Sequence, residues 1–274
     1  MDDHAAVTLG VSLKLYLDTR STVAWARAVG ELARRHPAVQ DGSVRLFALP
    51  SLPALLQVRD ALDGSAVGLG AQDLFWEDRG AYTGAVSGTD LRQVGCSYVE
   101  VGHAERRAVF GEDDEIIRKK LAAAVRNGLT PVLCVGEDVR EAAPEAVAQC
   151  LAQIDAALGD ASTVVPELIV AYEPVWAIGA AQPAPAEWIA EVSAALRTGL
   201  SADPRVAAST LIYGGSAQPG LLGRLGGSVD GLFLGRFAHD PEQLERVVDE
   251  AAAMRSAHVG ERGGSDGNDP VALW

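Results

Sequence analysis

The stretch Leu168-Ile169-Val170-Ala171-Tyr172-Glu173-Pro174-Val175-Trp176-Ala177-Ile178-Gly179 changes character twice within a few residues. Residues 168–171 form a short apolar run of strand length. A carboxylate closes the run and Pro174 follows at once. Proline fixes its own φ and biases the preceding residue towards extended backbone, so the strand ends at Glu173. The small and apolar residues that follow, through Gly179-Ala180-Ala181-Gln182, start neither helix nor strand well and suit a loop that moves as a lid. A carboxylate held between an apolar strand and an apolar lid loses water when the lid closes and becomes a stronger base. Taken alone, a strand-end glutamate reads first as a solvated rim group.

Outward from this strand, short apolar runs alternate with longer amphipathic ones along the whole chain. Strands are expected at 7–13, 44–49, 66–70, 98–101, 131–135, 168–172, 210–213 and 231–234. Helices are expected at 22–35, from Ser51 with Pro53 in the first turn, from Thr89, and at 113–127, 143–158, 186–200, 219–225 and 241–258. Strand–helix alternation implies a parallel sheet, and eight such units favour a closed barrel. The fold class is therefore α/β, a single (β/α)8 barrel over residues 1–259. The polar, glycine-rich residues 260–274 are expected to be a mobile tail.

Composition narrows the function. The chain has 274 residues, 48% of them apolar, enough for one large core. A net charge of −14 argues against a nucleic-acid partner and against an anionic membrane surface. It also means that an anionic substrate needs a local positive site. Three cysteines, Cys96, Cys134 and Cys150, lack metal-ligand spacing and suggest a reducing compartment. The start of the chain lacks the pattern of a signal peptide, and no run approaches the roughly 18 apolar residues of a membrane span. The expected location is the cytoplasm.

In such a barrel, chemistry gathers at the carboxyl ends of the strands. Those ends supply Ser12 and Lys14, then Gly102-His103-Ala104-Glu105-Arg106-Arg107, then Cys134-Val135-Gly136-Glu137, then Glu173, then Gly214-Gly215-Ser216, then Gly235-Arg236. Lys14 can offer a fixed positive charge, with Glu105 or the arginines as its partners. His103, ahead of a helical turn, can stay neutral and donate a hydrogen bond. Gly214, Gly215, Ser216 and Gly235 present backbone amides suited to phosphate. No metal or organic cofactor is expected.

The run Ala171-Tyr172-Glu173-Pro174-Val175-Trp176-Ala177-Ile178-Gly179, with Gly102-His103-Ala104-Glu105-Arg106-Arg107, resembles the triosephosphate isomerase family over about residues 7–257. The resemblance implies an isomerase of small phosphorylated sugars, acting in glycolysis and gluconeogenesis, with no cofactor. It implies Glu173 as base, neutral His103 as electrophile and Lys14 as the positive charge. That division of labour is the family's well-established mechanism and comes to these residues with the resemblance. Ser12, Gly179, Gly214, Gly215, Ser216, Gly235 and Arg236 then bind substrate, supported by Glu105 and Cys134. Residues 70–84 resemble the family's third loop, which inserts into a partner subunit, and this implies a homodimer with Gln72 in the loop and Thr83 at its tip.

Several neighbours depart from the family pattern. Ser12 stands where the family has asparagine, Ala104 follows the histidine in place of serine, and Ala85 stands where a glutamate is usual. Residues 179–182 replace Gly-Thr-Gly-Lys, and Arg236 replaces the second glycine of the phosphate-binding pair. Three functions are compatible with this pattern. A triosephosphate isomerase comes first, then an isomerase of a tetrulose phosphate such as erythrulose phosphate, then a barrel that only binds phosphorylated sugars.

Overall fold

The computed structural model describes residues 6–160, 164–180 and 182–262, the last seven of these as backbone alone. Eight parallel strands close into a barrel in chain order: β1 (Val7–Ser12), β2 (Val44–Leu49), β3 (Val67–Ala71), β4 (Tyr98–Val101), β5 (Thr130–Val135), β6 (Leu168–Tyr172), β7 (Ser209–Gly214) and β8 (Gly231–Leu234). Closure is direct, because β1 pairs with β2 on one side (Ser12 opposite Leu49) and with β8 on the other (Leu9 opposite Leu232). Helices wrap the outside: α1 (Thr19–Arg35), α2 (Pro37–Gln40), α3 (Leu55–Leu62), α4 (Gly88–Gln93), α5 (Ala104–Phe110), α6 (Asp114–Arg126), α7 (Ala143–Leu158), α8 (Ala186–Ala202), α9 (Leu221–Leu225) and α10 (Pro241–Arg262).

Alternation along each strand divides the core in two. Phe47, Leu49, Val132, Cys134, Ile169, Ala171, Ile212 and Phe233 fill the barrel interior, with Tyr98 packed against them. The intervening residues, such as Leu46, Ala48, Leu133, Leu168, Val170 and Tyr172, join the helices in a larger outer layer. Inside, the Phe47 and Tyr98 rings stack with centroids 4.6 Å apart. A Cβ on Gly10 would stand 2.3 Å from Phe47 Cζ, so the bulk on β2 requires a glycine on β1. The indole of Trp25 on α1 donates to the Ala238 carbonyl at 2.8 Å, joining the first unit to the last from outside.

Boundaries differ from the expectations where local hydrogen bonding decides them. α1 begins at Thr19 because the Asp18 carboxylate accepts from the Ser21 amide at 2.7 Å, a cap that overrides the start expected at 22. β1 stops at Ser12, since Lys14 adopts a left-handed φ of 48°. α9 starts at Leu221 because Gly220 before it is left-handed. α2 is a short helix absent from the expected set, and the helical turn expected after His103 is the seven-residue α5. α10 continues through Arg262, past the stop expected at 258 and three residues into the expected tail. Residues 263–274 of that tail, and Ala181 in the lid's far hinge, lie outside the described residues.

Candidate active site

Glu173 follows directly on β6, and its amide donates to the Val135 carbonyl at 2.8 Å. Two glycines make its position possible. A Cβ on Gly136 would lie 2.0 Å from the Glu173 carbonyl oxygen, and one on Gly214 would lie 2.4 Å from its Oε1. Gly214 therefore sits beneath the carboxylate, and it does not line the cavity in which a phosphate amide was expected. The Glu173 residue is 7% exposed, and its Oε2 is buried with no hydrogen-bond partner among the described residues. That oxygen has lone pairs open to a proton of a bound substrate.

His103 caps α5. Its Nδ1 accepts from the Glu105 amide at 3.1 Å, which assigns the remaining proton of a neutral ring to Nε2. Nε2 faces Glu173 Oε2 at 3.5 Å. Lys14 Nζ donates to Glu105 Oε1 at 2.7 Å, so Glu105 pairs with the lysine and not with the adjacent arginines. Those turn elsewhere, Arg106 to Asp73 and Glu112, Arg107 to Asp114. Burial works against the Lys14 charge, but the Glu105 hydrogen bond and the carboxylates of Glu173, Glu105 and Glu100 outweigh it and hold the ammonium above its ordinary value. This places a durable positive charge at the rim of an acidic protein.

These groups share a cavity of about 250 Å³, lined by Ser12, Lys14, His103, Glu105 and Glu173. Gly179, Gly215, Ser216, Gly235 and Arg236 line it as well. A second cavity of about 860 Å³ adjoins it, and Ser12, Lys14, Tyr16, His103 and Glu105 line both. Arg236 is exposed and lines the smaller cavity. Its guanidinium lies over the Tyr16 ring, 5.5 Å from the centroid. Ser12 is buried, and its hydroxyl donates to Glu100 Oε2 at 2.9 Å. Cys134 lies on the interior face of β5, and burial, then Glu173 and Glu100, push its thiol well above the ordinary range. It is a neutral filler there. Gln72 anchors the long loop, its amide donating to the carbonyls of Lys14 and Leu49, and Thr83 stands exposed at the tip. Among the described residues no group of three His, Cys, Asp or Glu side chains is placed to hold a metal ion.

Two residues of the site have roles that the sequence did not disclose. Glu137 is buried after β5 and accepts from the Trp176 indole at 2.8 Å and the Tyr172 hydroxyl at 3.2 Å, which pins the near end of the lid. The 3-10 turn Val175–Ala177 follows, and the Ser216 hydroxyl donates to the carbonyl of Ala180. Glu100 occupies an interior position of β4, two residues from Tyr98. The signal for it was present, since alternation from Tyr98 sends Glu100 to the same face.

The triosephosphate isomerase family model matches residues 7–251. An L-erythrulose-1-phosphate isomerase of Pectobacterium atrosepticum is 52% identical over 252 residues, covering 91% of this chain and 97% of the relative. A triosephosphate isomerase of Roseiflexus castenholzii is 39% identical over 214 residues, covering 76% and 84%. A crystal structure of triosephosphate isomerase from Bartonella henselae superposes with a TM-score of 0.75 at 29% identity, covering 88% of this chain and 97% of that one.

Proposed function

The chain belongs to the triosephosphate isomerase family, and on that premise we propose that it is an isomerase whose substrate is a tetrulose phosphate, L-erythrulose 1-phosphate. The order of the two substrates expected from sequence is thereby reversed. The observation that carries this is the 52% identity, over nearly the full length of both chains, to a relative bearing that activity. The departures from the family pattern at Ser12 and Arg236 lie beside the cavity and are consistent with it. A place in glycolysis goes with the triose and is not part of this reading.

The two substrates share their reacting atoms. Each carries phosphate on carbon 1 and a carbonyl at carbon 2, and the tetrulose adds a hydroxymethyl group on carbon 3. Glu173 removes the proton from carbon 3, and the electron pair moves to form a 2,3-enediolate. The Nε2–H of His103 and the ammonium of Lys14 stabilise the oxygen that gains charge. His103 gives its Nε2 proton to oxygen 2 and takes the hydroxyl proton from oxygen 3 in return, and Glu173 returns the carbon-bound proton to carbon 2, leaving the carbonyl at carbon 3. The amides around Gly179, Gly215, Ser216 and Gly235 take the phosphate, and Arg236 lines the same cavity. Glu105 keeps Lys14 in place, and Cys134 fills the floor. The test is catalytic efficiency on L-erythrulose 1-phosphate against dihydroxyacetone phosphate. A preference of about 100-fold for the tetrulose is expected, near the upper range for one added carbon group, and a preference for the triose overturns the reading.

The active form is a homodimer. Leu15, Tyr16, Leu52, Val109 and Phe110 are exposed large apolar residues, and Leu15, Tyr16, Leu52 and Phe110 line the wider cavity. An apolar mouth of that kind suits the inserted loop of a second copy, with Thr83 entering from the partner. We take residues 1–259 as one catalytic domain and 260–274 as its appendage, and we place the protein in the cytoplasm. All three cysteines are free thiols, in keeping with a reducing compartment. No helix among the described residues is long and apolar enough to cross a membrane.

A further inference from the structure

Glu100 is a buried titratable group that the mechanism leaves without a task. It is 4% exposed on the interior face of β4, opposite Val132 on β5. Burying a carboxyl among apolar side chains is costly unless its oxygens are paired. Oε2 accepts from Ser12 at 2.9 Å. Among the described residues Oε1 has only the Cys134 thiol at 3.9 Å, a weak donor, and His103 Nε2 at 4.0 Å. One of its two oxygens is thus poorly satisfied, at the reacting end of the site.

The place of that oxygen is specific. The phosphate side of the smaller cavity is formed by Gly215, Ser216 and Gly235. Ser12 and His103 line both this cavity and the wider one, and Glu100 lines the wider one, bonded to Ser12. Glu100 Oε1 and Glu173 Oε2 both lie within 4.0 Å of His103 Nε2, so a sugar phosphate with its phosphate among the glycines and carbon 3 at Glu173 brings the groups on carbon 3 within reach of Glu100. The hydroxymethyl group that distinguishes the tetrulose from the triose is attached to carbon 3, so it is the part that arrives there.

We propose that Glu100 is the residue that determines substrate length, its carboxyl hydrogen-bonding the terminal hydroxyl of the four-carbon substrate, with Ser12 holding the carboxyl in register. The inference rests on the tetrulose phosphate reading above. Burial, then the charge of Glu173, raise the Glu100 carboxyl, against the pull of His103 and Ser12. This limits its repulsion of the enediolate that forms beside it. The triose has nothing to offer Oε1 and leaves it as it stands.

The experiment uses the full chain and three compounds: L-erythrulose 1-phosphate, its 4-deoxy analogue and dihydroxyacetone phosphate. The parent is expected to prefer the hydroxylated tetrulose over the 4-deoxy compound by about 100-fold in kcat/KM, since a site built to bond a hydroxyl rejects the analogue lacking it. Glu100→Leu is expected to reduce that preference to about threefold or less, because removing either partner of one interaction makes removing the other nearly free. Glu100→Gln keeps the shape and one acceptor and is expected to fall between. It carries the test by itself if the leucine variant does not fold, with a drop of at least about fivefold expected. A purely structural role would change kcat/KM for the two tetruloses together and leave their ratio alone. A ratio within about twofold of the parent in the folded variants overturns the inference. A parent that prefers dihydroxyacetone phosphate overturns the substrate reading and this inference with it, whereas a parent that prefers the tetrulose with an unmoved ratio overturns only the role of Glu100.

Discussion

Glu100 and Glu173 reach the same nitrogen, His103 Nε2, from two different strands. Oε1 of Glu100 lies 4.0 Å from it and Oε2 of Glu173 lies 3.5 Å from it. Two carboxyls around one imidazole N–H cannot be equally comfortable as anions. The folded state holds the Glu100 carboxyl above its ordinary value of 4.5, chiefly through burial.

This shift ties stability to pH. Because the folded value of Glu100 is raised, folding favours the protonated form. That stabilisation is complete below about pH 4.5 and is lost as pH rises towards the folded value. Glu100→Gln has no such proton to lose. Relative to the parent, its melting temperature should gain as pH is raised from 4.5 to 8, measured by calorimetry at several pH values. A constant difference between the two proteins over that range shows that Glu100 titrates normally.

Glu173→Gln should cut kcat by about 1,000-fold on whichever phosphosugar the parent processes, within the range for loss of a positioned general base. The near-isosteric amide keeps the packing against Gly214. Turnover within about tenfold of the parent, roughly 1.4 kcal/mol in the barrier, removes Glu173 from the role of base.

Lys14 is the one non-glycine residue with positive φ among those described, at 48°. A left-handed residue costs about 1–2 kcal/mol when it carries a Cβ. Lys14→Ala and Lys14→Gly should both lose activity with the ammonium. The glycine variant should be the more stable of the two by about 1 kcal/mol in chemical denaturation, since glycine accepts that φ freely. Equal stabilities would show that the backbone at this position is not strained.

Thr83→Arg places a bulky charge at an exposed loop tip, where the isolated subunit has room for it. If that tip enters a second copy, sedimentation velocity should show the parent as a dimer and the variant shifted to monomer, with activity reduced by about tenfold or more at low concentration. A monomeric variant that retains full activity sinks the need for the partner loop.

Much of the fold was legible because its signals are local. Short apolar runs and amphipathic stretches each satisfy their own hydrogen bonds, and their alternation leaves few ways to pack. The strand end at Glu173 was legible because Pro174 follows it, whereas the roles expected of Glu173 and His103 came with the family resemblance. α5 was legible only as a helical turn, since seven residues with a histidine cap and left-handed Gly111 behind them form too short a pattern to show a full helix. One task of Gly214 was hidden for another reason. Its missing Cβ serves the Glu173 carboxylate on the neighbouring strand, and nothing near Gly214 in sequence says so.

The sequence by itself determined the class of fold, the number of strands, and the strand ends at which chemistry could collect, because strand termini and apolar periodicity are properties of neighbouring residues. The tertiary structure alone decided which groups meet. Glu100 in Tyr98-Val99-Glu100-Val101 could face the helices, solvent or the interior until the barrel closed. Closure set it 88 residues from Ser12 in sequence yet 2.9 Å from its hydroxyl. A charge in a strand acquires its meaning from what the opposite strands place around it, and that information is held in the register of the whole sheet.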